Sequence, residues 1–127
     1  MDIDGERYTE AGEFPRWQMY SPIQIYVRED LPHLAGHTRD ISLRGIHIEI
    51  GLKLPLKSII ILEIYFQRGN VFEFIEQEPL KIKGQIMWRK TATEEGHEIW
   101  SMGVAFVDIT PEHEARISEE VEVLDSI

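Results

Sequence analysis

The stretch Asp40-Ile41-Ser42-Leu43-Arg44-Gly45, followed at once by Ile46-His47-Ile48-Glu49-Ile50, decides the fold class of this chain. Its second half alternates apolar and polar residues, which is the period of a β-strand with one buried face. In its first half, Asp40 and Ser42 can hydrogen-bond to neighbouring backbone. Gly45 allows a positive φ or the close approach of another backbone. The stretch therefore predicts a tight connection that leads into a half-buried strand.

The same period of two recurs along most of the chain. Alternating apolar residues mark three further strands, at 22–28, 80–88 and 99–107. In the second of these, the alternation places Trp88 on the inward side with Leu80, Ile82 and Ile86. Residues 58–66 are apolar almost throughout, which predicts a strand covered on both faces. Residues 71–78 fit either a short strand or a loop insert.

Four segments rich in turn-forming residues separate these strands, at 31–36, 51–55, 67–70 and 91–96. Short strands at such regular spacing are typical of an antiparallel barrel or sandwich. The sequence alone therefore predicts an all-β domain.

After the last strand the apolar period changes to that of a helix, over about residues 110–124. Thr110 can cap its start, and Pro111 suits the first helical position. Ile117, Val121 and Leu124 then form one apolar stripe, which we expect to be buried. The acidic pair Glu119–Glu120 and the other acids of this segment are expected on its solvated face.

Composition limits the classes of function. The chain has 127 residues, of which 43% are hydrophobic, and this suits one domain, expected over 12–127, behind a flexible acidic arm at 1–11. Its net charge of −10 disfavours a general nucleic-acid binder. It contains no cysteine and no apolar run long enough to span a membrane. Without the features of a secretory signal at its start, the chain is expected to be cytoplasmic.

A search for catalytic or metal-binding patterns finds no convincing one. His33 and His37 are four residues apart, but Pro32 and Gly36 oppose the helix that would align them. Asp40, Ser42 and His47 are residue types of a hydrolytic triad, yet no nucleophile elbow accompanies them. We therefore expect no catalytic residues, no metal site and no cofactor, and the chain is interpreted as a non-enzyme.

The pattern Asp40-x-Ser42-x-x-Gly45 matches the [D/N]xSxxG signature of PilZ domains, the bacterial receptors for cyclic di-GMP. The order of the surrounding segments is also similar to the family. Phe14-Pro15-Arg16 precedes a Pro-apolar strand, a strand ends at Trp88, and Gly103-Val104-Ala105-Phe106 precedes the helix. The resemblance covers about residues 12–124. It implies a six- or seven-stranded antiparallel β-barrel with a C-terminal helix, acting in bacterial signalling such as the control of motility or biofilm formation.

The resemblance also implies a set of ligand-binding residues. These are Arg16, Asp40, Ser42 and Gly45, with Arg44 and Arg7 as further contacts to phosphate. The family's arm carries RxxxR, but aligned on Arg16 the first position of this motif is Gly12. One arginine is therefore missing, unless Arg7 or Arg44 replaces it.

Two functions remain open from the sequence. The first is a receptor that binds cyclic di-GMP more weakly than a domain with the complete motif. The second is a degenerate PilZ-like adaptor that binds no dinucleotide and acts through an unidentified protein partner. Retention of Arg16, Asp40, Ser42 and Gly45 favours the first, and Gly12 favours the second.

Overall fold

The computed structural model describes residues 16–28, 30–66 and 78–125, with side chains up to residue 122. Within these residues the chain forms seven strands and one helix: β1 (Trp17–Gln18), β2 (Pro22–Tyr26), β3 (Leu34–Ile41), β4 (Gly45–Ile50), β5 (Ile59–Ile64), β6 (Leu80–Glu94), β7 (His97–Val107) and α1 (Pro111–Asp125). The predicted arm at 1–11, which contains Arg7, lies outside the described residues. The same holds for Gly12 and for most of the two segments 67–70 and 71–78.

The strands form a closed antiparallel barrel. The order β3-β2-β5-β6-β7-β4 is completed by the pairing of β3 with β4, and β1 adds to β3 as one outside strand. Closure satisfies the backbone groups that an open sheet would leave at its edges. The predicted six- or seven-stranded antiparallel barrel with a C-terminal helix is confirmed.

The barrel interior is filled by branched aliphatic side chains from alternate strand positions. Ile46, Ile48 and Ile50 of β4 are all buried, as their alternation predicts. Ile25, Leu62 and other inward residues of β2 and β5 complete the packing. Burial of this apolar surface is the main force that holds the strands in one register.

Strand β5 differs from its prediction, because only one of its faces is fully buried. Ile60, Leu62 and Ile64 are buried, whereas Ile59 is 45% exposed. The interior of the barrel receives every second residue, and in β5 the others face outward. The apolar run therefore marks a strand correctly but does not show whether its second face is covered.

The hairpin that joins β6 to β7 is longer than predicted. The expected break at 91–96 shrinks to the turn residues Glu95 and Gly96, whose φ angles are 51° and 81°. Two consecutive residues with positive φ match the twist of a two-residue hairpin turn. The pairing therefore continues from Lys83 opposite Val107 to Glu94 opposite His97.

A β-bulge in β3 decides which of its side chains face outward. The register with β4 shifts between Thr38, opposite Ile48, and Asp40, opposite His47. Arg39 is the extra residue, so the alternation of β3 changes phase. Thr38 is consequently fully buried while Asp40 stands on the outer face beside His47.

A second bulge, in β6, turns the side chain of Trp88 outward. The register with β7 shifts between Ile86, opposite Val104, and Trp88, opposite Gly103. Met87 is the extra residue, and Trp88 leaves the inward side on which strict alternation placed it. Its indole lies on the outer face, where a Cβ added to Gly103 would collide with it.

Helix α1 begins with the predicted cap and buries the predicted stripe. The Thr110 hydroxyl accepts a hydrogen bond from the His113 N–H at 3.1 Å, and the Thr110 N–H donates to His113 Nδ1 at 3.1 Å. Ile117 is 0% and Val121 4% exposed. The side chain of Leu124 lies outside the described residues.

The expectation that Glu120 lies on a solvated face is wrong. Its side chain is 2% exposed and forms an ion pair with Arg116, one turn earlier, at 3.1 Å. The guanidinium also donates to the Glu78 carbonyl at 2.6 Å. A buried carboxylate is tolerated here because it is paired with a cation.

No helix within the part of the chain that the structure describes has the length and apolar character needed to cross a membrane.

Candidate ligand-binding groove

A groove of about 570 Å³ opens on the outer face of the barrel, where the β3–β4 connection meets β6 and β7. Five of the six predicted site residues line it: Arg16, Asp40, Ser42, Arg44 and Gly45. The sixth, Arg7, lies outside the described residues. The groove therefore brings together residues that come from the segment before β1 and from the connection into β4.

Ser42 organises the connection itself. Its hydroxyl accepts hydrogen bonds from the backbone N–H groups of Arg44 at 3.1 Å and Gly45 at 3.2 Å. The Ser42 N–H donates to the Gly45 carbonyl at 2.9 Å, which closes the turn. With 1% of its surface exposed, Ser42 fixes the direction in which Arg44 leaves the turn.

Gly45 is required by a close approach between strands rather than by a positive φ. It is paired with Ala105 of β7, and a Cβ at position 45 would collide with the carbonyl oxygen of Val104. A larger residue would push β4 away from β7. Gly45 therefore keeps these two strands together under the groove.

Asp40 lies between two cationic or potentially cationic groups. Its Oδ1 accepts a hydrogen bond from Arg16 Nε at 2.6 Å, and its Oδ2 lies 3.5 Å from His47 Nδ1. Burial alone would raise the pKa of Asp40, but the hydrogen bond from His47 and the charge of Arg16 outweigh it and hold the pKa below its usual value. Asp40 is therefore an ionised acceptor at neutral pH.

Arg16 is held at the mouth of the groove by this ion pair and by a longer contact. Its terminal nitrogen lies 3.5 Å from the Ser42 hydroxyl. The side chain keeps 34% of its surface exposed, so the guanidinium remains accessible to a molecule in the groove. An exposed ion pair of this kind is weak and can exchange partners.

The structure adds His47, Trp88 and Lys90 to the predicted set. The His47 ring meets the Trp88 indole edge to face at 5.2 Å, and Lys90 Nζ lies 6.0 Å from the same indole. His47 Nε2 is buried without a hydrogen-bond partner among the described residues. Alternation from Gly45 could have identified His47, but only the bulge at Met87 brings Trp88 to this face.

The arrangement suits a particular chemistry. Arg16, Arg44 and Lys90 give the groove a cationic rim in a protein whose net charge is −10. Arginine forks pair well with phosphate oxygens, and an indole offers a surface for stacking a planar ring. Asp40 can accept hydrogen bonds from the N–H edge of such a ring. The groove is thus fitted for an anionic ligand that carries a planar heterocycle.

Comparison with known proteins places the chain in a family. The sequence profile of the PilZ domain matches residues 12–122. No curated protein sequence matches the chain.

Solved structures show the same fold at low sequence identity. The PilZ domain of YcgR from Escherichia coli with c-di-GMP superposes with a TM-score of 0.64 at 11% identity, covering 89% of this chain and 88% of that one. The Klebsiella pneumoniae MrkH–c-di-GMP complex gives 0.66 at 12% identity, covering 88% of this chain and 51% of that one. Bacillus subtilis MotI/DgrA, an inhibitor of motility, gives 0.63 at 13% identity, covering 90% and 49%.

The chain therefore spans about half the length of the MrkH and MotI chains and most of the isolated YcgR domain. The profile match extends over nearly the whole sequence, and the barrel agrees with that of solved PilZ structures. This chain belongs to the PilZ domain family.

Proposed function

We propose that this domain is a receptor for cyclic di-GMP, with weakened affinity, that acts by signalling rather than by catalysis. The observation that carries the proposal is the groove itself, which gathers Arg16, Asp40 and Arg44 beside the indole of Trp88. Similar folds in YcgR and MrkH have been solved with c-di-GMP. The cationic rim of the groove therefore suits the phosphates of this ligand, and the indole suits its guanine bases.

Binding would proceed by an exchange of partners at Arg16. The guanidinium now donates to Asp40 at 2.6 Å, and a phosphate oxygen or guanine edge would take over this donor. Asp40, kept ionised by His47 and any remaining contact with Arg16, would accept from the N–H groups of a guanine. Because an existing ion pair must be loosened, the exchange lowers the net gain in free energy.

Trp88, Arg44 and Lys90 would hold the rest of the ligand. A base stacked on an indole contributes about 1–3 kcal/mol. Arg44 and Lys90 stand on the rim, where they would neutralise phosphate charge. Ser42 and Gly45 would act indirectly, since they shape the turn and the strand contact below the groove.

The weakened affinity follows from Gly12. A hydrogen bond to a charged group contributes about 1.5–3 kcal/mol, which corresponds to roughly ten- to hundredfold in affinity. A domain with glycine in place of the first arginine of RxxxR lacks that contribution, unless Arg7 supplies it.

Calorimetric titration with cyclic di-GMP tests the proposal. Gly12→Arg should tighten binding at least several-fold relative to the wild type. Arg28→Ala is the matched control, because Arg28 is 66% exposed, pairs with Asp30 and does not line the groove. If the wild type and Gly12→Arg both give no heat at high ligand concentration, the receptor proposal fails.

The second candidate is a PilZ-like adaptor that binds only protein, and Gly12 is the observation that favours it. Its contact surface would include the acidic outer face of α1, where Glu112, Glu114, Glu119 and Glu122 are exposed. A partner captured equally well with and without cyclic di-GMP, by a domain that gives no heat with the dinucleotide, would establish it.

We further propose that the domain works in the cytoplasm in bacterial control of motility or biofilm formation. One structural neighbour is an inhibitor of motility and another a transcription regulatory factor. The net charge of −10 disfavours a nucleic acid as the partner. Deletion of the encoding gene should then alter swimming or surface attachment.

A further inference from the structure

We infer that His37, Glu49 and Glu94 form a site for a divalent transition-metal ion on the barrel wall, apart from the groove. One ligand atom from each residue lies within 4.8 Å of the others. His37 Nε2 and Glu49 Oε1 are already 3.0 Å apart. The three side chains come from β3, β4 and the end of β6, so only the folded barrel brings them together.

The pair of inner ligands is held in place by its neighbours. Glu49 is 8% exposed, and its second oxygen, Oε2, accepts a hydrogen bond from the Ser101 hydroxyl at 3.2 Å. That bond directs Oε1 toward His37. The ring of Tyr20 packs on the His37 imidazole at 4.5 Å and limits its rotation. Such outer contacts orient metal ligands and raise their affinity for the ion.

The third ligand, Glu94, lies at the surface beside a turn. Glu94 is exposed and stands directly before the two-residue turn Glu95–Gly96. Its carboxylate can therefore move by the short distance that coordination at about 2.0–2.2 Å requires. Three protein ligands would leave at least one position for water.

The ligand set indicates the class of ion. One imidazole and two carboxylates suit Zn²⁺ and similar first-row cations. Ca²⁺ and Mg²⁺ prefer oxygen ligands alone and in larger number. The net charge of −10 favours the approach of any cation, so selectivity must come from His37.

Arg39 competes with the ion for the same carboxylate. Its terminal nitrogen lies 3.3 Å from Glu49 Oε2 and 3.4 Å from Oε1. Because the Arg39 side chain is 54% exposed, it can turn into solvent when a metal ion binds. Its removal should leave the carboxylate free for the ion, so Arg39→Ala should bind metal more tightly than the wild type.

Coordination would also tie the tip of the β6–β7 hairpin to the β3–β4 wall. Glu94 and His97 are the last pair of that hairpin, and Glu49 lies on β4. A bridge of this kind would reduce local opening of the turn. Amide hydrogen exchange at residues 91–99 should slow when Zn²⁺ is added.

The test is calorimetric titration of the full, untagged chain with Zn²⁺ alone. Glu94→Gln should weaken binding about tenfold or more, since one of three ligands is lost. Glu95→Gln is the matched control, because it removes the neighbouring exposed carboxylate and should leave the affinity unchanged. His33→Gln controls for general binding to exposed histidine, and Mg²⁺ should give no comparable heat.

Three results would overturn the site. They are no saturable binding of Zn²⁺, equal affinity in Glu94→Gln and the wild type, and an Arg39→Ala variant that binds no more tightly. Glu94 and Arg39 are both exposed, so their variants should fold, and thermal unfolding without metal checks this. The result does not depend on cyclic di-GMP, so either proposal can fail without the other.

Discussion

Two clusters of similar chemistry lie on the outer face of the β3–β4 pair. The groove cluster consists of Arg16, Asp40 and His47, and the wall cluster of His37, Arg39, Glu49 and Ser101. Each joins a carboxylate to an imidazole across the two strands and to one arginine. The strands contribute in opposite order, because the acid is on β3 in the groove cluster and on β4 in the wall cluster.

Exposure and the facing residue of β7 distinguish the two clusters. Glu49 is 8% exposed and faces Ser101, which donates a hydrogen bond to it. Asp40 is 25% exposed, and its partner His47 faces Gly103, which offers no side chain. The same residue types therefore hold the barrel together in one place and remain open to a ligand in the other.

The largest expected difference concerns binding of cyclic di-GMP. Arg16→Ala should lower the affinity by roughly ten- to hundredfold or abolish it, because a charged hydrogen-bond donor is lost from the groove. Arg39→Ala is the matched change in the wall cluster and should alter the affinity less than about twofold, because Arg39 does not line the groove and its exposed charge is screened by solvent and salt. Equal losses in a calorimetric titration would show that the ligand does not occupy the groove.

For the stability of the fold, we expect the wall cluster to matter more than the groove cluster. Glu49→Gln should reduce the free energy of unfolding by about 1.5–3 kcal/mol, because a nearly buried charge loses its paired hydrogen bonds. Asp40→Asn should cost less than about 1 kcal/mol, since its ion pair with Arg16 is partly exposed and screened. Urea unfolding of both variants provides the measurement. A larger loss for Asp40→Asn than for Glu49→Gln would contradict the assigned roles.

The two facing residues of β7 offer a smaller contrast. Ser101→Ala should destabilise the fold by about 1 kcal/mol, since the hydroxyl bond to Glu49 is lost. Gly103→Ala should instead move the Trp88 indole, with which the new methyl group collides. We expect a change in tryptophan fluorescence and a several-fold loss of cyclic di-GMP affinity. An unchanged emission spectrum would mean that the indole does not lie over position 103 in solution.

The smallest expected effect is on acid stability. Burial raises the pKa of Asp40, but His47 and Arg16 together lower it by more. The pKa of Asp40 in the folded protein therefore lies below the usual value of about 3.9. The ionised form therefore adds stability above about pH 4, and this is lost as the pH falls through the folded pKa. Asp40→Asn should lose less stability than the wild type over that window. If the free energies of unfolding of Asp40→Asn and the wild type, measured in urea, change in parallel with pH, the pKa of Asp40 is not lowered by folding.

Much of the fold could be read from alternation. The runs around Ile46–Ile50 and in β2 predicted strands whose inner residues are buried, because a period of two can bury only one face. Thr110, Pro111, Ile117 and Val121 predicted the start and buried face of α1 for similarly local reasons. The signature from Asp40 to Gly45 likewise predicted a tight turn, which Ser42 closes.

Alternation fails at the β-bulges, where one strand has an extra residue relative to the strand it pairs with. Nothing local distinguishes Met87 from the residues around it, so alternation predicts that Trp88 faces inward. At the bulge, β6 pairs with β7 on one side while the backbone of Ile86 bonds Lys57 and Ser58 on the other. Pairing with two neighbours is a property of the closed barrel and has no signal within one segment.

The sequence by itself determined strands β2, β4, β5, β6 and β7, the capped helix and the turn signature, because each depends on residues close together in the chain. It did not predict β1 or β3, and the break expected at 31–36 overlaps the start of β3 at Leu34. Only the tertiary structure decided what faces the groove. The bulges at Arg39 and Met87 turn Asp40 and Trp88 outward, and the long hairpin carries Glu94 toward Glu49. These placements depend on register between strands distant in sequence, which is set by packing of the whole barrel.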